Sequence, residues 1–252
     1  MLEKWLEEQS LNYNRFEIKL YFSNLFRKLP VKQKTKNKNH KILELGAGSG
    51  QLTEFLTEES IIKLDIVKMP GIDVQADVYN IPIKNLSIDE IILVDVFHHL
   101  GKPWIFFEEC YRILKENGSL ILVEPHRSIF SYPVFKLFHH EPMLLSRRYT
   151  PGIPILNDDP SSADNGIPTS VFMNKKNKEF LVTILKNKFE IVDNIKFSDF
   201  LSFFATGGLN RNKSIIKGNL FRLLLEAENH LPQFFLKIFG SRMIIALTKY
   251  ND

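Results

Sequence analysis

The chain has 252 residues, 44% of them hydrophobic and 25% charged, with a formal net charge of +4. That composition excludes wholesale disorder, and no uncharged apolar run reaches the ~18 residues of a membrane span. One cysteine, Cys110, excludes an intramolecular disulfide and a multi-cysteine zinc site and suits a reducing cytoplasm. The start, Met1-Leu-Glu-Lys-Trp-Leu-Glu-Glu8, is acidic and amphipathic, unlike a secretory signal.

The basicity is local. Residues 1–40 hold nine Lys or Arg and four Glu, a net of +5, so the other 212 residues net −1. Lys32, Lys34, Lys36 and Lys38 read as a solvated linker, and the body is not a basic nucleic-acid surface. Before that linker, Ile18, Tyr21, Phe22, Leu25, Phe26 and Leu29 recur at helical spacing, and Pro30 ends the pattern. Residues 1–40 are therefore expected to form an N-terminal helix and basic linker, ahead of a domain over 41–252.

From residue 41 strands alternate with helices. Strands are expected at 41–45, 61–65, 72–76, 90–96, 119–124, 190–197 and 243–248. Helices are expected at 51–59, 104–115 and 175–187, with a broken helix over 215–239. Alternation with β-rich apolar runs predicts a mostly parallel sheet covered on both faces. The six residues 66–71 are too few for a crossover helix between parallel neighbours, which needs about a dozen or more residues, so Met69-Pro-Gly71 is expected to form a turn or extended link. Two long segments, 125–173 and 198–241, interrupt the alternation; segments of this length are normally lids or binding loops.

The most informative stretch is Ile42-Leu-Glu-Leu-Gly-Ala-Gly-Ser-Gly50, a strand running into alternate glycines. Glycines permit sharp turning and close approach of a ligand. No Lys-Ser or Lys-Thr follows, so this is not a P-loop. Glu44 would repel a pyrophosphate but suits a cationic, amino-acid-bearing ligand.

On these residues the chain resembles the class I S-adenosylmethionine-dependent methyltransferases, of the small-molecule type related to ubiquinone/menaquinone-biosynthesis enzymes. The resemblance is fullest over 41–124. Glu44-Leu-Gly-Ala-Gly-Ser-Gly50 matches an acidic-x-Gly-x-Gly-x-Gly motif. Asp65 stands where an acidic residue holds the ribose hydroxyls, and Ala76-Asp77 before Ile81-Pro82 where an Asp meets the adenine amine. Asp89-Glu-Ile-Ile-Leu-Val-Asp-Val-Phe-His-His-Leu100 and Tyr111-Arg-Ile-Leu-Lys-Glu-Asn-Gly-Ser-Leu-Ile-Leu-Val-Glu-Pro125 are similar to the fourth-strand and fifth-strand signatures. The resemblance implies a doubly wound, mostly parallel seven-stranded α/β sheet of the Rossmann-like methyltransferase type, with helical and loop lid insertions. It implies S-adenosyl-L-methionine as cofactor, held by Glu44, Gly46, Ala47, Gly48, Gly50, Asp65, Ile66, Ala76, Asp77, Val78, Asp95 and Val96.

Five of seven histidines lie between 98 and 140. His98 and His99 follow the fourth strand and His126 the fifth, the strand ends expected to face the acceptor. A hydroxyl acceptor wants a general base, most often His, so His99 and His126 are the catalytic candidates. His98, Arg127, Tyr132 and Phe203 are the substrate-binding candidates. Arg127, Arg147 and Arg148 could hold a phosphate or carboxylate. His139, His140 and Glu141 share one short segment, and adjacent ligands rarely converge on one ion, so no metal is assigned. Eleven of the 21 phenylalanines fall in the two inserted segments, which favours an apolar lid and a small, apolar or lipid-linked acceptor, O- or C-methylated, with peripheral membrane contact as a possibility. The alternatives are a nucleic-acid methyltransferase using the basic arm, which lacks an Asn/Asp-Pro-Pro-Tyr motif, and a non-catalytic cofactor-binding regulator.

Overall fold

A computed structural model describes residues 11–31, 40–48, 51–56, 60–139, 141–144, 147–157, 162–191, 195–208 and 211–250. The basic run 32–39 and Gly50 lie outside the described residues. The strands are β1 (Lys41–Leu45), β2 (Ser60–Asp65), β3 (Val74–Gln75), β4 (Ile88–Val94), β5 (Leu114–Pro125), β6 (Phe189–Ile191), β7 (Lys196–Ser198) and β8 (Arg242–Lys249). They form one sheet in the order β3-β2-β1-β4-β5-β8-β6, with β7 also on β8. The first five pair in parallel; β8 runs antiparallel to β5, β6 and β7. Since β6 pairs Leu247–Lys249 and β7 pairs Arg242–Ile244, the two share one lane beside β8. The sheet is thus seven lanes wide with eight strands.

The helices are α1 (Phe16–Phe26), α2 (Pro103–Ile113), α3 (Ser131–Phe138), α4 (Ile167–Met173), α5 (Lys178–Leu185), α6 (Ser202–Ala205), α7 (Gly218–Asn229) and α8 (Gln233–Phe239). Pro103 and Pro168 open α2 and α4, where the missing N–H costs nothing. The expected helix over 51–59 is one 3-10 turn, Gln51–Glu54, with 57–59 outside the described residues. The expected strand over 190–197 is two short strands instead. The 66–73 link contains no helix: Asp73 accepts from the Lys63 amide at 2.8 Å and its own amide bonds the Lys63 carbonyl at 3.0 Å. These bonds carry β3 back alongside β2 in eight residues.

Two apolar layers cover the sheet. One packs α2, α4 and α5 around Phe97, Phe106, Phe107 and Phe180. The other seats Ile18, Tyr21, Phe22 and Leu25 of α1, with Phe221 and Leu225 of α7, on Ile42, Ile92, Ile121 and Ile244. The apolar stripe of α1 is therefore part of the sheet's core and shares that face with α7. Among the described residues, no helix is long and apolar enough to cross a membrane.

Candidate active site

The parallel strands end along one edge, and neighbouring exits are tied by backbone bonds. The Ala47 amide bonds the Leu64 carbonyl at 3.1 Å, Ala76 bonds Asp65 at 3.0 Å, and Asp95 bonds Val123 at 2.9 Å. The strand order reverses between β1 and β4, and ligands of doubly wound sheets sit outside the carboxyl ends at that switch. Gly46 and Val96 flank it. Gly46 has φ +65°, and a Cβ there would stand 2.3 Å from Val96 Cγ2, so two independent constraints demand glycine. Gly48 has φ +51° with no described atom within 4 Å of an added Cβ, which leaves open space above the turn.

Asp65 fixes this turn. Its Oδ2 accepts from the Gly48 amide at 2.8 Å and its Oδ1 from the Val67 amide at 2.9 Å. Each carboxylate oxygen keeps a second lone pair for a ligand hydroxyl. Ile66 beside it is 49% exposed, an apolar surface at the expected adenine position. Half-buried Ala76 and Val78 flank Asp77, which is exposed and accepts from the Tyr79 amide at 2.9 Å. Glu44 is buried, and its Oε2 has no hydrogen-bond partner among the described residues. Burial raises its pKa to about 8, against the opposing pull of the Leu52 amide and the Lys63 charge. The Tyr13 hydroxyl, also buried and unpartnered among the described residues, feels the charges of Glu54 and Glu44.

Asp95 is already engaged. It sits at φ +57° and is gripped by Arg242 through Nη1–Oδ1 at 2.5 Å and Nη2–Oδ2 at 2.8 Å. This pair anchors the β4 exit to β8 and leaves the Asp95 side chain 34% exposed.

The residues after β4 are held from β5. Buried Glu124 accepts from the Val96 amide at 2.9 Å and the Phe97 amide at 2.7 Å through Oε1, and meets His98 Nδ1 at 2.8 Å through Oε2. His98 Nε2 lies 3.6 Å from Glu141 Oε2, and His99 Nε2 lies 3.9 Å from Glu141 Oε1. Burial opposes a charge on His98, but its bonds to Glu124 and Glu141 outweigh it and lift the pKa to about 10. Burial, then the neighbouring His98 charge, pushes His99 down to about 4. His99 is a neutral imidazole at neutral pH, as a base requires.

His126 differs. It is buried, with Nε2 2.9 Å from the Lys237 carbonyl and Nδ1 3.3 Å from Thr169 Oγ1. Both of its nitrogens thus meet residues of the two inserted segments. Phe203 stacks on Tyr21 at 5.6 Å and under the Arg242 guanidinium at 4.7 Å, within the second core layer. It is only half-buried there. Arg127 lies 4.5 Å over the Tyr132 ring, with its Nε buried and unpartnered among the described residues. Exposed Arg147 lies on an open groove of about 550 Å³ that Tyr132, Lys136, His139 and Glu141 also line. His140 lies outside the described residues.

Sequence reasoning missed Glu124, Arg242 and the position of Glu141 beside His98 and His99. Glu124 ends a buried strand, and a carboxylate in that place is the one signal that could have marked it.

Residues 43–122 match the methyltransferase domain family. Over that stretch, about a third of its length, the chain is similar to S-adenosylmethionine-dependent methyltransferases. An uncharacterized methyltransferase of Schizosaccharomyces pombe is 33% identical over 100 residues, 34% of this chain and 39% of that protein. A Mycolicibacterium smegmatis protein named as a probable S-adenosylmethionine-dependent methyltransferase is 26% identical over 102 residues, 36% of this chain and 40% of that one. The chain thus spans about two fifths of these relatives. Among solved structures, a chain in the complex of the Haloferax volcanii Trm112 methyltransferase activator with a methyltransferase aligns at TM-score 0.53, 12% identity, over 99% of this chain and 96% of that one. The [4+2]-cyclase SpnF aligns at 0.50 and 13%, over 92% and 82%. At such identities the likeness speaks for the fold alone, and a cyclase on this fold shows that fold does not fix the reaction.

Proposed function

We propose that the protein is an S-adenosylmethionine-dependent methyltransferase acting on a small, apolar or lipid-linked acceptor in the cytoplasm. The observation that carries the cofactor half is the orphaned, buried Glu44 Oε2 beside the open Gly46–Gly48 turn. A cationic amino-acid group supplies the missing partner and favours the ionised carboxylate, which a nucleotide phosphate would disfavour. Asp65 offers two lone pairs to ribose hydroxyls, and exposed Ile66 offers an apolar face to adenine.

When bound, S-adenosylmethionine supplies an electrophilic methyl group on a sulfonium. Gly46 and Val96 place the chain at the switch where that group would lie. His99 offers an unprotonated nitrogen at the β4 exit for an acceptor proton. Alignment of acceptor and methyl group can supply much of the barrier reduction in such transfers.

The acceptor half rests on the lid. Phe130 and Phe135 of the first insertion meet Phe200 and Phe204 of the second, with Phe130–Phe200 centroids at 4.7 Å and Phe135–Phe204 at 5.8 Å. Phe235 and Phe239 extend the cluster from α8. Outside it, Ile129, Leu137, Phe138 and Phe234 are each more than 70% exposed. An apolar acceptor, or the surface of a membrane carrying one, finds matching surface there.

Calorimetry tests the cofactor: micromolar binding of S-adenosylmethionine and its demethylated product is expected, and it should weaken in Asp65→Ala. Absence of binding overturns the reading. Labelled methyl transfer into a lipid extract, against RNA, tests the acceptor; incorporation into RNA alone would favour the nucleic-acid alternative.

A further inference from the structure

His98 and His99 leave β4 on a 3-10 turn, Phe97–His99, that sets their rings 4.3 Å apart at 39°. Glu141 comes from the first lid insertion, more than 40 residues away. The three side chains each turn one ligand atom inward, and these atoms lie within 4.8 Å of one another.

The tautomers follow from the partners. Glu124 sits 2.8 Å from His98 Nδ1, and the Ser162 carbonyl 3.2 Å from His99 Nδ1. A carbonyl only accepts, so His99 Nδ1 carries the hydrogen and its Nε2 presents a lone pair. The same assignment for His98 leaves its Nε2 facing Glu141 as well. Two imidazole lone pairs and a carboxylate then converge, an arrangement that repels itself unless a positive charge stands between them.

We propose that His98 Nε2, His99 Nε2 and Glu141 form a binding site for a divalent transition-metal ion of the zinc class. Two histidines and one carboxylate form a zinc ligand set, with bonds of about 2.0–2.2 Å. Ligand atoms around a tetrahedral ion then stand about 3.4 Å apart. The observed 3.6 and 3.9 Å separations run to the two oxygens of Glu141, and all three ligand atoms fall within 4.8 Å of one another, so ion binding draws the side chains together from that spacing. Glu124 behind His98 and the Ser162 carbonyl behind His99 are the outer partners that orient metal-bound imidazoles. With neutral imidazoles, Glu141 and Glu124 balance a dication. The ion pins the first inserted segment to the β4 exit and takes the His99 Nε2 lone pair, so in the metal-bound chain a water or acceptor oxygen in the fourth position is activated by the ion and not by His99 as a base. Glu141 also lines the groove shared with Tyr132 and Arg147, so that position has a route from solvent.

The test uses the full chain, stripped with chelator and dialysed against Zn²⁺ or Co²⁺, and needs no methyl acceptor. One equivalent of zinc by elemental analysis is expected, with a cobalt visible band of the intensity of a four- or five-coordinate ion. Glu141→Gln and His99→Ala should each weaken binding at least about 10-fold. Circular dichroism and melting in chelator establish that each variant is folded, and Glu141→Gln alone decides if His99→Ala is not. Absence of stoichiometric metal in the unaltered chain overturns the proposal. So does binding by folded Glu141→Gln as tight as that of the unaltered chain.

Discussion

Arg242, at the start of β8, holds Asp95, at the end of β4, by both carboxylate oxygens. The contact spans 147 residues of sequence. Arg242 is almost fully buried, its Nε also meets the Tyr21 hydroxyl at 2.7 Å, and Tyr21 in turn bonds Asp199. One guanidinium thus ties α1, the β4 exit and the turn before α6 together. Its ionised form is held well beyond the ordinary range: burial opposes the charge, but Asp95 first and then Tyr21 outweigh it.

Removing that guanidinium leaves Asp95 without its two-pronged partner and the Tyr21 hydroxyl without an Arg242 contact, while Asp199 keeps Lys28 and Ser198. Arg242→Met should cost about 3–5 kcal/mol of stability, read as a lower denaturant midpoint at unchanged slope. Arg242→Lys should recover only part of the loss, because an ammonium lacks the two-pronged fork. Equal stability of Arg242→Lys and the unaltered chain would show that charge alone matters.

Gly46 and Val96 are coupled by space. Gly46→Ala forces a Cβ onto Val96 and an L-residue into left-handed backbone, so stability and S-adenosylmethionine affinity should both fall. Gly48→Ala meets the φ cost alone, about 1–2 kcal/mol. Val96→Ala added to Gly46→Ala should recover part of the loss in a double-mutant cycle. Strict additivity would rule out the close approach.

Burial holds Glu44 protonated up to about pH 8, whereas in the unfolded chain it ionises at its ordinary value near 4.5. Between those pH values the folded state binds more protons, so this group's contribution to stability falls as pH rises from about 4.5 to about 8 and is flat above. Glu44→Gln should flatten that slope in pH-dependent unfolding. A cationic ligand stabilises the ionised form, so cofactor binding at pH 7 should release up to one proton. Calorimetry in two buffers of different ionisation heat reads this, and Glu44→Gln should abolish it.

The α1 stripe caps Ile42, Ile92, Ile121 and Ile244 of the sheet. Deleting residues 1–38 uncovers them, and the truncated chain should aggregate or lose cooperative melting. Phe22→Ala, within the same stripe, should cost about 3–5 kcal/mol. A truncated chain with a full cooperative transition would show that α1 is dispensable.

The local sequence was sufficient for the parallel half of the sheet, because each feature there is short-range. The apolar run 42–45 ends at the glycine that the turn needs, and Asp65 ends the next strand over. Glycine at 46 was legible as a tight turn, although its clash partner, fifty residues on, was not. The link over 66–71 was legible as helix-free from its length alone.

The histidines mark the boundary. Their positions after β4 and β5 were fixed by the strand pattern, but their roles were not, because an imidazole's role depends on what meets its two nitrogens. Tertiary packing brought Lys237 and Thr169 to His126 and Glu124 and Glu141 to His98, and it spent Asp95 on Arg242. The sequence alone determined the strand succession, the glycine turn and the acidic residues at the cofactor edge, since strand, turn and motif are written in neighbouring residues. Which carboxylates are free for a ligand, and which histidine keeps a lone pair, was decided by contacts between distant segments, whose partners leave no local periodicity to read.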